Sequence, residues 1–95
     1  MTSFDIIDTR LPGADLVRAG LEDLINSRDT VAAMLVSIGE PRLRRLGIVP
    51  HHVIAEPERM LFETLAADDP DSAHGRYNAL VRRLVSFERA AECAR

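Results

Sequence analysis

Chemistry in this chain would have to come from few residue types: twelve basic residues, all of them Arg, three His, one Cys and the carboxylates. His51 and His52 are adjacent, so on an extended segment they point to opposite sides and do not easily share one metal. Glu56 and the distant His74 would join them only if the fold carried separate segments together, and zinc-ligand spacing is absent. These residues read as polar loop positions. Cys93 has no paired His or Cys and stands two residues from the end of the sequence, a poor setting for a nucleophile. There is no Gly-rich phosphate loop and no nucleophile elbow. The sequence thus offers no catalytic residue and implies no cofactor or metal, and an enzyme of unknown type stays as a third reading.

The arginines are patterned more suggestively. From Asp29 to Pro50 the chain has the outline of a helix-turn-helix: a helix, a Gly-containing turn and an Arg-bearing helix. A DNA-binding regulator would set Arg42, Arg44 and Arg45 against phosphates or guanine edges. The second helix is only about six residues long, short for a recognition helix in a major groove. Glu40 also sits beside Gly39, where such turns normally carry an apolar residue, and a net charge of −3 lacks the basic excess of a general nucleic-acid binder. DNA binding is therefore the alternative expectation.

The leading expectation comes from the stretch that begins at Asp71. Arg76 and Arg83 form one row seven residues apart, and Arg82 and Arg89 form a second. Between the rows runs a strip of small residues: Ala79, Ser86, Ala90 and Cys93. Small residues at heptad spacing permit close helix approach, and flanking charges set the choice of partner. On the inner side, Glu88 falls in the apolar arc between Leu84 and Ala91. A carboxylate there must reach solvent, pair with an Arg or meet a partner chain. The plainer description is a solvated helix with Ala chosen for propensity and Glu88 reaching water at the core edge. We expect a non-enzymatic protein–protein interaction module, a homodimer or a subunit of a larger assembly.

These side chains need elements to hold them, and the periodicity predicts an all-α domain of four to five helices. Residues 1–13 read as an extended arm that lays Phe4 and an isoleucine on the core, with a short strand over 4–8 as the competing assignment. A helix from Ala14 to about Asn26 turns Leu16, Val17, Gly20, Leu21, Leu24 and Ile25 to one face. Gly20 on that face either admits a neighbouring helix or is a tolerated small residue. Asp29 is the expected N-cap of Val31–Ile38, a run apolar almost all round and hence buried, which reads as a helix from its Ala-Ala-Met-Leu centre with a short buried strand as the competing assignment. Gly39 is the expected C′ residue and Pro41 opens a short helix stopped by Gly47. Pro57 opens the next helix, with Leu61, Phe62 and Leu65 inward. Asp69 then caps a long amphipathic C-terminal helix that starts at Pro70 and firms at Arg76, past Gly75. That last helix carries the longest apolar stripe, and the shorter helices read as the surface it packs against.

Ninety-five residues make one domain. An apolar fraction of 46% and a charged fraction of 28% are those of an ordinary globular protein, and aromatics at 4% leave the core to Leu, Val, Ile and Ala. A single cysteine forbids an internal disulfide, and the acidic start lacks the basic and apolar regions of a signal peptide. No stretch approaches the ~20 apolar residues of a membrane span. The expectation is a cytoplasmic protein, and the many Arg and Ala suggest a GC-rich bacterial genome.

Overall fold

Thr30 and Gly20 explain most of the architecture. The computed structural model describes residues 7–94, and within them five helices follow one another: α1 (Ala14–Ile25), α2 (Val31–Ile38), α3 (Glu40–Arg45), α4 (Pro57–Asp68) and α5 (Ala73–Cys93). There is no strand among the described residues. Phe4 and Ile6 lie outside them, as do positions 4–6 of the competing strand assignment, and Ile7 and Asp8 are in no strand. The described part of the arm is turned rather than extended, with Leu11 N–H bonded to Asp8 C=O at 3.1 Å and Ala14 N–H to Leu11 C=O at 3.2 Å. Those turns lay Ile7 onto the core.

Thr30, and not Asp29, is the N-cap of α2. Its backbone is extended and its Oγ1 accepts Ala33 N–H at 3.1 Å. The same hydroxyl donates to Asp23 Oδ2 at 2.6 Å, which ties the end of α1 to the start of α2. A Thr that both accepts and donates here satisfies an orphan helix N–H and a carboxylate together. Exposed Asp29 does neither.

The hub of the fold is α2. It packs against each of the other four helices, and none of its eight residues is exposed. An eight-residue helix has little stability of its own, so its order comes from burial on all sides. α1 presents Val17, Leu21 and Leu24 to it, α4 presents Leu61 and Leu65, and α5 adds Leu84 and Phe87 to the same core. The long α5 is therefore one wall of the core and not its centre. Ile25, expected inward, is the last residue of α1 and is 43% exposed.

Ser37 shows how the loop after α3 is held. Its buried hydroxyl donates to Ala33 C=O at 2.8 Å and accepts Ile54 N–H at 3.0 Å. Ile48 anchors the start of the same loop, leaving Val49 and Val53 in solvent. The turn before α5 also departs from expectation. Asp69 terminates α4, its Oδ1 accepts Asp71 N–H at 3.2 Å, and α5 begins at Ala73 after Ser72. Ala73 is fully buried, and that contact fixes the first turn despite Gly75.

Gly20 decides how closely α1 and α2 approach. A Cβ there would collide with Ala32 O and with Val36 Cγ2, and would stand 2.8 Å from Ala32 C. Backbone cannot yield as a flexible side chain does. Gly20→Ala should therefore destabilise the protein by about 1–3 kcal/mol in urea unfolding, in spite of alanine's better helix propensity. Gly75 is the matched control, since a Cβ there meets nothing within 4 Å. Gly75→Ala should stabilise by ~0.5–1 kcal/mol. A gain from Gly20→Ala would show that α1 and α2 are not in this contact.

Candidate functional site

Two places bring the singled-out residues together, and both lie on α5. The first surrounds Glu88. Its residue exposure is 3%, and its Oε2 is fully buried without a hydrogen-bond partner. Its Oε1 lies 3.6 Å from Arg42 Nη1. The corner between α2 and α3 closes over the carboxyl because Gly39 has no side chain: a Cβ there would stand 3.0 Å from Glu88 Oε2 and from both Leu84 methyls. Gly39 follows the last residue of α2 with φ −83°, so it ends the helix without a left-handed turn and its value is this close approach.

Arg42 divides itself between two carboxylates of α5. Its Nε donates to Glu92 Oε1 at 2.8 Å, Nη2 bonds the same oxygen, and Nη1 faces Glu88. Burial pushes the Glu88 carboxyl above its ordinary range; the Arg42 charge opposes this and Glu92 adds to it. Glu92 was not among the singled-out residues. Its i, i+4 spacing from Glu88 was the available signal, since like charges so placed repel unless a cation from elsewhere comes between them. The cation arrives from fifty residues away, which no local pattern reveals.

The three arginines of the DNA-binding alternative are thus on one short helix with different commitments. Arg42 faces α5, Arg44 pairs with Glu40 one turn back, and Arg45 Nε reaches Pro41 C=O at 3.5 Å. Glu40 is the first residue of α3. His51 and His52 sit edge to face in the exposed loop, while His74 packs on Phe62 at 4.8 Å. No group of three His, Cys, Asp or Glu among the described residues is placed to hold a metal ion. Cys93 is exposed.

The second place is the outward side of α5. Arg76, Ala79, Arg82, Arg83, Ser86 and Arg89 are all exposed, whereas Ala90 is half-buried. The two arginine rows differ. Arg76 Nη1 lies 2.7 Å from Asp68 of α4, and Arg83 Nη2 lies 3.0 Å from Asp15 of α1. The Arg83 hydrogen bond holds the Asp15 carboxyl below its ordinary range. Between these two ion pairs opens a groove of about 450 Å³, lined by Val31, Leu65, Ala79 and Leu80 with Arg76 and Arg83 at its ends. Its lining comes from α2, α4 and α5, so sequence spacing within α5 identifies only one side. Among the described residues no helix is long and apolar enough to cross a membrane.

Glu88 also sets a pH dependence. Because its folded-state value is raised above the ordinary 4.5, folding favours the protonated form. The stability this contributes is complete below the unfolded value and is lost as pH rises through the folded one. Glu88→Gln stays neutral throughout, so at neutral pH it should be more stable than the parent by on the order of 1 kcal/mol. The difference should shrink on acidification toward the unfolded carboxylate value. Urea unfolding of both proteins across that range measures it, and a parent more stable at neutral pH would mean that Arg42 outweighs burial.

No protein-family model, curated protein or solved structure matches this chain.

Proposed function

We propose that this protein is a non-enzymatic protein–protein interaction module whose contact surface is the outward side of α5. The observation that carries this reading is the groove of about 450 Å³ beside the exposed small residues of that helix. Ala79 lies at the groove and Ser86 two turns further along, so a partner's backbone can come close without displacing a large side chain. Half-buried Val31 and Leu80 give the groove its accessible apolar surface, and burying such surface against a partner is favourable at about 25 cal/mol per Å². The arginines around it supply directional, charge-assisted contacts at the rim.

A photo-crosslinking residue placed at Ala79 or at Ser86 tests this in the cells that make the protein. Irradiation should give discrete adducts from both positions and none from His51, which is exposed in the loop after α3. An adduct of twice the chain's own mass marks a homo-oligomer, and any other mass marks a different partner. Absence of adducts from both α5 positions would remove the reading.

A further inference from the structure

We infer that the groove beside α5 receives an acidic amphipathic helix of another protein, one that presents two carboxylates two turns apart with an apolar side chain between them. This rests on reading the outward side of α5 as a contact surface and adds the chemistry of what it contacts. The groove has a guanidinium at each end, Arg76 and Arg83, seven residues apart on α5. Seven residues of helix rise about 10.5 Å, the span between carboxylates at i and i+7 of a helix lying alongside. Side chains at i+3 and i+4 of such a helix face the same way and would enter the floor formed by Val31, Leu65 and Leu80.

Both guanidiniums already hold an aspartate, and the exposure of those aspartates decides whether they can be exchanged. Asp68 is 72% exposed and Asp15 is 78% exposed, while Arg76 and Arg83 keep 43% and 48% of their side chains in solvent. Ion pairs this open hold their partners weakly, so an arriving carboxylate can share or replace them. The charged residues that line the groove itself are both cations, Arg76 and Arg83. Arg82 and Arg89 lie exposed on the same helix, and its two acids, Glu88 and Glu92, are both turned to Arg42. α5 itself carries four arginines against these two acids, and Asp68 and Asp15 of the neighbouring helices offset two of the four. A two-fold pairing of α5 with its own copy would set arginine against arginine, and a nucleic acid would leave the apolar floor unused.

The probe is a fluorescein-labelled, alanine-based helical peptide of about 18 residues with Glu at i and i+7 and Leu at i+3 and i+4. A peptide with Lys in place of both Glu is its counterpart, and fluorescence anisotropy reads binding. The Glu peptide should bind and the Lys peptide should not. Affinity should fall severalfold as salt rises from about 0.01 to about 0.15 M. The double variant Arg76→Gln, Arg83→Gln should lose at least about fivefold, and Ala79→Gln, which narrows the groove without changing charge, should also lose affinity. Circular dichroism confirms that both variants stay folded. Equal binding of the two peptides, no binding, or affinity unchanged in the double variant would overturn the inference, as would a duplex DNA or a second copy occupying the groove. If crosslinking from Ser86 captures a partner while the Glu peptide fails, the contact surface stands and its partner has another chemistry. If both fail, both readings fall together.

Discussion

The contact of α1 with α2 is the constraint on which the rest of this small fold depends. An eight-residue helix that is apolar almost all round can exist only if every side of it is covered. α1 covers the largest part, and it comes close enough because Gly20 leaves room for the Ala32 carbonyl and the Val36 side chain. The Thr30 hydroxyl, shared between Asp23 and the Ala33 N–H, pins the same two helices at their junction. With α2 held in this way, α4 and α5 have a surface to close on, and the loop after α3 has Ser37 to bond to.

Glu88 shows a different kind of coupling. The corner over Gly39 buries its carboxyl, and Arg42 supplies a counter-charge at 3.6 Å instead of a short hydrogen bond. The guanidinium is drawn mainly to Glu92, which leaves Oε2 of Glu88 unsatisfied. A buried charge that is only partly compensated costs stability, and it couples the orientation of α3 to that of α5. Of the three fates open to a carboxylate in that arc, solvent, an arginine or a partner chain, the structure shows an arginine beside it, Arg42. Arg42 is one of the three arginines of the DNA-binding alternative, and here it is paired with both α5 carboxylates.

The two sides of α5 therefore do separate work. The inner side carries Leu84, Phe87 and the buried Glu88, and a change there acts on stability through the core. The outward side carries small residues and arginines whose ion pairs lie in solvent, where changes cost the fold little. That separation leaves the outward side open to a binding role, because its residues are not needed to hold the helix in place.

Much of the fold was legible in the sequence. Periodicity of 3.6 placed α1, α4 and α5, Pro41 and Pro57 marked helix starts, and the almost wholly apolar run Val31–Ile38 announced its own burial, with its Ala-Ala-Met-Leu centre favouring a helix. Those signals are local, since each depends on residues within a few turns of one another. The sequence also showed that Glu88 stood in an apolar arc and that Arg82 and Arg89 shared a face. Other matters depended on residues far apart in the chain, and only the tertiary structure decided them: that α2 and not α5 is the hub, that Thr30 caps α2 because Asp23 is near, and that Arg42 answers Glu88 and Glu92 from fifty positions away. The groove belongs with these, because three helices build it and its two arginines are set by aspartates on α1 and α4. Helical periodicity reports which way a side chain faces on its own helix, and packing alone determines what it meets there.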